Sequence, residues 1–387
     1  MEYRTLIILP HTNPNNDMKK NKIYQTGFSI IELLIALTIS TVLILGVGVV
    51  FHTSKSTYRS QEALSDVSDN ARFALYFLEQ DIATAGFWGC NSNAASNSAN
   101  GAQAAGNGVS SIKEVNNGLI NTPTTVNFAA GNGITGIDGP AAAAIPNAAD
   151  TITIQGLFGQ PIPATIRPSD DAITLDTPVT LAAETLLAMS NCQEVEIFQN
   201  SADVNNSTQI PHANGAGTIG PGNQSNRFSS DTLRDSGASE PHLYQANQVS
   251  YTVRTGPPPR SRPSLYRFVN TAVPPAAAGV PAIPPLLEGV TDVQFTYGED
   301  TNGDGNADRF LPAGAVAAPI PQNMANVVAV NATLSFDSNR IGITQVAADA
   351  GGQRRLVRTL TKTFALRNRL PIITPPAPPV APPPPGP

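Results

Sequence analysis

FSIIELLIALTISTVLILGVGVVF, residues 28–51, is the stretch that decides how the chain is organised. It contains a single charge, Glu32, and an apolar run of this length crosses a bilayer as a helix. Lysines at positions 19, 20 and 22 precede it, so the positive-inside rule predicts a cytoplasmic N-terminus. A secretory signal peptide is the alternative, but that would need a shorter apolar core followed by a small-residue cleavage site.

The helical pattern continues beyond residue 51. Apolar side chains recur at alternating spacings of three and four, which produces one apolar stripe that another element must cover. The stripe consists of Leu64, Val67, Ala71, Ala74, Leu78, Ile82 and Ala85. Gly86 follows as a C-cap, so we predict one helix from about residue 29 to residue 85. Gly46 and Gly48 are its weakest points, since each costs about 1 kcal/mol relative to alanine.

The rest of the chain has the composition of short strands joined by long loops. Hydrophobic residues make up 41% of the sequence and charged residues only 13%, and there are 31 glycines and 34 prolines. The hydrophobic content is enough for a globular core, whereas the many glycines and prolines disfavour further long helices. The net charge of -6 comes without a basic patch interleaved with aromatics, so nucleic acid is not expected as a partner.

Short alternating or β-branched runs predict the strands. They lie at residues 151–155, 172–176, 194–198, 248–254, 264–269, 290–297 and 328–336. Residues 91–150 hold few large apolar side chains, so we predict loop or disorder there. An antiparallel sheet packed on the helix would cover the apolar stripe and bury the apolar face of the strands at the same time. The sequence therefore predicts an α+β fold with a half-buried antiparallel sheet.

The first residues of the apolar segment, Gly27-Phe28-Ser29-Ile30-Ile31-Glu32, resemble the prepilin class of precursors. The resemblance implies a leader at residues 1–27, cut by prepilin peptidase between Gly27 and Phe28, with methylation of Phe28. Because the leader is long for that class, Met18 is a second candidate for the translation start.

Glu32 has two interpretations. The resemblance implies that its carboxylate pairs with the free N-terminal amine of a neighbouring subunit and sets the register of assembly. Independently of the family, a carboxylate within a membrane span costs a few kcal/mol and needs a partner. The alternative is that Glu32 lies in the first helical turn, where the helix dipole lowers that cost.

A closer resemblance, to PilW-type minor pilins, rests on five segments. They are Tyr58-Arg59, Gln61-Glu62-Ala63-Leu64, Asn70-Ala71-Arg72-Phe73-Ala74-Leu75, Ala85-Gly86-Phe87-Trp88-Gly89-Cys90 and Ala365-Leu366-Arg367-Asn368-Arg369-Leu370-Pro371. The resemblance implies a pilin-like fold and a structural subunit that takes part in type IV pilus assembly and initiation, and so in motility and adhesion. The alternatives are a minor pseudopilin of a type II secretion system and a pilus-associated adhesin.

The same resemblance implies an organisation, a location and partners. After the leader we expect a membrane and assembly helix at 28–51, its amphipathic continuation at 52–86, an exposed β-rich domain with long loops at 87–370 and a proline-rich tail at 371–387. The chain would cross the inner membrane once, with its C-terminal domain in the periplasm, and enter the pilus on assembly. Its partners would be prepilin peptidase and other minor and major pilins.

The two cysteines, Cys90 and Cys192, lie far apart in sequence and have no CxxC spacing. In an extracytoplasmic domain an intramolecular disulfide is the natural interpretation, and two unpaired buried thiols are the alternative. Closing so long a loop would stabilise the fold by about 4 kcal/mol in the chain-entropy model.

Residues 300–308, DTNGDGNAD, match the start of a calcium loop, with Gly305 at the sharp turn. Five residues would supply oxygen ligands at loop positions one, three, five, seven and nine, the seventh through its carbonyl: Asp300, Asn302, Asp304, Asn306 and Asp308. The match fails at position twelve, where Leu311 replaces a bidentate glutamate. The alternative to calcium is a polar hairpin turn.

Motifs of enzymatic chemistry are lacking in the sequence. It has no Walker A loop and no GxSxG elbow, and its four histidines are isolated rather than paired on a helix. We therefore predict no enzymatic activity. Trp88 is interpreted as a packing residue under the end of the helix.

Overall fold

The computed structural model describes residues 27–89, 114–120, 128, 133–139, 149–191, 194–215, 221–229, 231–234, 240–255, 262–270, 283–314, 322–339, 341, 343 and 354–369. The chain forms two compact units, residues 1–58 and residues 59–387. The first unit contributes the beginning of a long helix, and the second contains the rest of that helix and all the described strands.

The long helix, α1, spans Ile30–Thr84 and confirms the predicted helix to within one residue at each end. Gly86, at a φ of 69°, ends it in the left-handed region that glycine adopts without strain. The prediction that Leu64 lies on the buried stripe is wrong, because it is 40% exposed and Ala63 is buried instead. Leu64 lies about 60° around the helix from Val67, the same angle as the buried Ile82. Its exposure goes with its position at the beginning of the covered part of α1, whose buried residues run from Ala63 to Ile82.

The larger sheet has ten described strands, one of them parallel to its neighbour and the rest antiparallel. They are β1 (Glu114–Asn117), β2 (Ile134–Ile137), β3 (Thr151–Ile166), β4 (Ile173–Leu181), β5 (Leu186–Ser190), β6 (Glu194–Gln199), β7 (Val204–Ile210), β8 (His242–Thr255), β9 (Pro263–Val269) and β10 (Leu287–Glu288). The order is β1-β6-β5-β8-β3-β4-β7, with β2 paired to β3, β9 to β8 and β10 to β9. A short helix, α2 (Asp231–Arg234), lies between β7 and β8 in sequence.

The smaller sheet is fully antiparallel. Its strands are β11 (Val290–Glu299), β12 (Arg309–Leu311), β13 (Val327–Asp337) and β14 (Val357–Ala365), in the order β12-β11-β13-β14. Strand β13 alternates as predicted, with Val330, Ala332, Leu334 and Phe336 buried and the residues between them only partly so. Two 3₁₀ turns, Met324–Asn326 and Arg367–Arg369, flank β13 and β14.

The apolar stripe of α1 packs in one cluster with both sheets. Val67, Ala71, Ala74, Leu78 and Ile82 share this core with residues of β3, β8 and β9 and with residues of β11 and β13. The expectation of a single sheet over the helix was therefore too simple. Two sheets meet on the stripe, and the α+β class is confirmed.

All seven predicted strands are present, but the prediction of loop or disorder for residues 91–150 is wrong in part. Strands β1 and β2 lie within it, and Phe128 and Ile134 are buried. These strands have only four residues each, in a segment rich in glycine, alanine and asparagine, so no periodic signal marks them. Their stability comes from pairing with distant strands, β6 and β3.

Asp150 joins the two sheets at the start of β3. Its N–H donates to the carbonyl of Val293 at 3.0 Å, and its Oδ2 accepts the N–H of Phe295 at 2.6 Å. Its Oδ1 accepts the N–H of Gly139 at 2.9 Å. Asp150 is buried, and this burial raises the pKa of its carboxyl to about 6, with a smaller contribution from Asp138 nearby.

Candidate functional site

The first site is the start of α1, where the predicted cleavage and assembly residues lie. Gly27 and Phe28 precede the helix, and Phe28 is 83% exposed. Ser29 caps the helix: its Oγ accepts the N–H of Ile31 at 3.4 Å and its carbonyl accepts the N–H of Leu33 at 3.1 Å. Glu32 lies in the first turn, where its charge complements the helix dipole.

The spacing of Ser29 and Glu32 is that of a capping box, which sequence reasoning overlooked. A serine at the N-cap followed three residues later by glutamate can satisfy two unpaired N–H groups of the first turn. Glu32 occupies the position of the glutamate in such a box, which is compatible with a partner in another subunit. The structure does not test the assembly role, which stays a prediction.

The first half of α1 is exposed on every side, although it is strongly apolar. Helix α1 is the one described helix that is long and apolar enough to cross a membrane. None of its most apolar segment is buried within the chain. A helix that is apolar all round needs an apolar surrounding, either lipid or other helices.

The second half of α1 is held by a buried ion pair. Asp81 lies on the apolar stripe and is 5% exposed. Its Oδ2 accepts a hydrogen bond from Arg267 Nε at 2.8 Å, and its Oδ1 accepts one from Arg267 Nη2 at 3.1 Å. Tyr251 donates its hydroxyl to the same Oδ2 at 2.5 Å. Helix α1 is thereby tied to β8 and β9 at one point.

The surroundings of this pair shift the pKa values of Tyr251 and Arg267. Burial raises the pKa of Tyr251, and the charge of Asp81 raises it further. The hydrogen bond from Arg267 to Asp81 raises the pKa of the guanidinium, so it keeps its charge. Sequence reasoning missed Asp81, although its position three residues after Leu78 and four before Ala85 places an acid on the apolar stripe.

Two further contacts hold the end of α1. Lys362 of β14 pairs with Glu79 at 2.8 Å on the surface. Asn368 donates its side-chain N–H groups to the carbonyls of Ala83 and Ala85 at 3.3 and 3.2 Å. These carbonyls have no partner within the helix, so Asn368 acts as a cap from the far end of the chain.

Directly after α1 the chain enters a second hydrophobic core. Trp88 is fully buried there, which confirms that it is a packing residue. Ser190 donates its hydroxyl to the carbonyl of Trp88 at 2.9 Å, and Tyr244 donates to the carbonyl of Gly89 at 2.9 Å. Cys90 and Cys192 lie outside the described residues, so their disulfide stays a prediction.

The acidic loop at residues 300–308 joins β11 to β12. Asp300 accepts N–H bonds from Asn302, Gly303 and Gly305 at 3.1, 2.6 and 2.7 Å, as expected for the turn alternative. Hydrogen bonds from Thr301 lower the pKa of the exposed Asp308.

A calcium ion would have to enter this hydrogen-bonded arrangement. The side-chain amide nitrogen of Asn302 lies 3.3 Å from Asp304 Oδ2 and 3.2 Å from Asp308 Oδ1, so an amide group stands between the two carboxylates. Within the described part of the chain, no group of three or more His, Cys, Asp or Glu side chains is arranged to hold a metal. Calcium at Asp300, Asn302, Asp304, Asn306 and Asp308 stays a prediction.

Two family models match this chain. The model described as prokaryotic N-terminal methylation motif matches residues 23–48, and the model described as type IV pilus-assembly protein W matches residues 250–368. Together the two matches support a PilW-type minor pilin. They support a structural subunit that takes part in type IV pilus assembly, and the secretion and adhesin alternatives are not favoured. No curated protein and no solved structure matches the chain.

The two matches correspond to the two halves of α1: one covers the start of the helix, and the other covers residues that contact its second half. The methylation motif covers the start of α1, where an apolar helix near the N-terminus fits a single-pass inner-membrane anchor of a minor pilin. The PilW match covers Tyr251, Arg267, Lys362 and Asn368, the residues that hold the second half of α1. The residues whose polar contacts hold the second half of α1 therefore lie within the portion that the PilW model matches.

Proposed function

We propose that this minor pilin is cut between Gly27 and Phe28 by prepilin peptidase and methylated on Phe28, and that it then enters a pilus through the first half of α1. Its β-rich domain would stand in the periplasm before assembly. The observation that supports this most strongly is the division of α1. Its first half is apolar and uncovered, and its second half is clamped to a folded domain.

Glu32 would set the register of entry into the fibre. Cleavage creates a positively charged amine on Phe28, and an apolar surrounding strengthens its attraction to a carboxylate of a neighbouring subunit. Processing and assembly are then coupled, because the amine does not exist before the cut. The capping geometry around Ser29 places Glu32 in the first turn, near this new terminus.

Replacing Glu32 tests this role. In the Glu32→Ala variant we expect normal processing and membrane levels but a large loss of the protein from sheared pili. Glu62→Ala, which removes a glutamate from the second half of the same helix, serves as the control. Normal incorporation of Glu32→Ala into pili would remove the proposed register role.

We also propose the Cys90–Cys192 disulfide as part of the mature protein. Support comes from the hydrogen bond between Ser190 and Trp88 at 2.9 Å, which joins chain segments two residues away from each cysteine. Peptide mapping under non-reducing conditions should recover both cysteines in one linked peptide. Recovery of two separate thiol-bearing peptides would contradict the proposal.

Calcium in the acidic loop is proposed as a weak site. Three carboxylates within nine residues repel one another unless a cation neutralises them, but the missing ligand at Leu311 limits the affinity. Calorimetry on the full chain in detergent should detect calcium binding that disappears when Asp300 and Asp304 are both changed to Asn. Asp176→Asn, an exposed acid on β4, is the control, and unchanged binding in the double variant would end the assignment.

Twitching motility and adhesion would depend on this subunit through the pilus. We expect a deletion strain to lose surface pili or to assemble fewer of them, and to recover them when the gene is restored. Intact pili in the deletion strain would contradict the proposal.

A further inference from the structure

The acidic loop between β11 and β12 contains an asparagine followed directly by a glycine, the pair Asn302-Gly303. Both residues are exposed. A Cβ added at Gly303 meets nothing within 4 Å, and the φ of this residue, 83°, is one that glycine adopts without strain. The pair is therefore open to water, and there is room for a reaction at the Gly303 nitrogen.

Polar groups surround the side-chain amide of Asn302 and the backbone nitrogen that follows it. The N–H of Gly303 donates to Asp300 Oδ1 at 2.6 Å. The N–H of Asp304 donates to Asn302 Oδ1 at 2.8 Å. Asn302 Nδ2 lies 3.3 Å from Asp304 Oδ2 and 3.2 Å from Asp308 Oδ1. The backbone nitrogen, the amide oxygen and the amide nitrogen are thus each hydrogen-bonded within the loop.

We propose that Asn302 is a site of spontaneous deamidation in the folded protein. The Gly303 nitrogen loses its proton and forms a bond to Cγ of Asn302. The Cγ–Nδ2 bond breaks and ammonia leaves with that proton, so a succinimide ring remains. A water molecule then opens the ring and gives aspartate or isoaspartate at position 302. The net change is the uptake of one water and the loss of one ammonia, so neither an oxidant nor a reductant is needed.

The contacts within the loop assist each step of this reaction. The carboxylate of Asp300 accepts the N–H whose proton must leave, which is the position of a general base. The N–H of Asp304 donates to the amide oxygen, where negative charge develops during the attack, as in an oxyanion hole. The carboxylates of Asp304 and Asp308 lie beside the nitrogen that departs and attract it as an ammonium ion. Residues 300–304 therefore supply the nucleophile, the base and the oxyanion donor.

A second exposed pair, Asn214-Gly215, differs in one of these contacts. A Cβ added at Gly215 also meets nothing within 4 Å. The N–H of Gly215, however, donates to the backbone carbonyl of Asn223 at 3.0 Å. A peptide carbonyl is a much weaker base than a carboxylate, so it assists the loss of the proton less. The two pairs share their sequence and their exposure, which makes Asn214 an internal control for Asn302.

Deamidation changes both the charge and the hydrogen bonding of the loop. The side-chain amide of Asn302 stands between the carboxylates of Asp304 and Asp308 as a donor to both. Its replacement by a carboxylate removes these hydrogen bonds and adds a fourth negative charge to residues 300–308, which repels the others. We expect the loop to open more often, so the backbone amide of Gly303 should exchange its hydrogen faster in the modified protein.

Timed incubation of the full chain in detergent tests the inference. The protein is kept at neutral pH with a metal chelator, so the outcome does not depend on calcium in the loop. Peptide mass spectrometry follows the replacement of the amide by a carboxyl group at Asn302 and at Asn214. We expect Asn302 to be modified about tenfold faster than Asn214. Equal rates, or a faster rate at Asn214, would overturn the inference.

Two further variants separate the chemistry from the sequence of the pair. Asp300→Asn keeps the size of the side chain but removes the base, so the rate at Asn302 should fall to about that at Asn214. Asp176→Asn, which changes an exposed acid on β4, is the matched control and should leave both rates unchanged. An undiminished rate at Asn302 in the Asp300→Asn protein would contradict the inference. Asn302→Asp reproduces one product and should show the faster amide exchange at Gly303.

Discussion

The two halves of α1 have the same backbone but different surroundings. Residues 30–51 are exposed and almost entirely apolar, whereas residues 59–84 bury one stripe, including Val67 and Leu78, and expose a polar face. The first half has no partner within the described chain that covers it, and the second half has two sheets. The comparison teaches that one helix combines a segment that the domain leaves uncovered with a segment on which the domain folds.

The largest expected effect comes from breaking the ion pair that distinguishes the covered half. Asp81→Ala leaves the charge of Arg267 without its carboxylate partner and should lower the free energy of unfolding by about 4 kcal/mol. Urea unfolding of the full chain in detergent micelles measures this. Glu79→Ala breaks an exposed pair with Lys362 and should cost less than about 1 kcal/mol. Equal effects of the two variants would show that Asp81 does not hold the helix.

The stripe itself can be tested with two leucines of the same half. Leu78 is fully buried, so Leu78→Ala should lower the free energy of unfolding by about 3 kcal/mol through lost transfer energy and a cavity. Leu64 is 40% exposed, and Leu64→Ala should cost well under about 1 kcal/mol. A loss at Leu64→Ala as large as that at Leu78→Ala would show that Leu64 belongs to the buried stripe, as the sequence predicts.

The join between the two sheets that cover the helix should depend on pH. Burial raises the pKa of Asp150 to about 6, so its protonated form favours the folded state. The contribution of Asp150 to the free energy of unfolding is fully present below the pKa that its carboxyl has in the unfolded chain. It is lost as the pH rises through 6. Relative to Asp150→Asn, the wild type should lose about 2 kcal/mol of unfolding free energy between pH 4 and pH 7. Parallel pH profiles of the two proteins would contradict this.

The smallest effect is expected in the uncovered half. A Cβ added at Gly46 or Gly48 meets nothing within 4 Å, so alanine fits at either position. Each change should stabilise the helix by about 1 kcal/mol and slow amide hydrogen exchange around it. Unchanged exchange in both variants would show that these glycines are not the weak point of α1.

Much of the fold could be predicted because its signals are local. The period of the apolar residues gave α1 to within one residue at each end, and alternation located β13. Strand β14 was missed because Lys362 interrupts the apolar side of its alternation, between the partly buried Leu360 and the buried Phe364.

The contacts that hold the helix could not be predicted from the sequence. Arg267 lies 186 positions from Asp81, and Asn368 lies 285 positions from Ala83. No local pattern pairs residues at such distances, since the pairing depends on how the sheets fold. At the start of α1, by contrast, the spacing of Ser29 and Glu32 is a local signal, and it predicts a capping box from the sequence.

The central claim is that α1 is released by a cut just before Phe28 and serves first as anchor and then as packing element. The intact mass and N-terminal sequence of the protein purified from membranes and from pili test it most directly. We expect a single species that begins at a methylated Phe28. A product that begins beyond Phe51, or one that keeps the leader in assembled pili, would contradict the account.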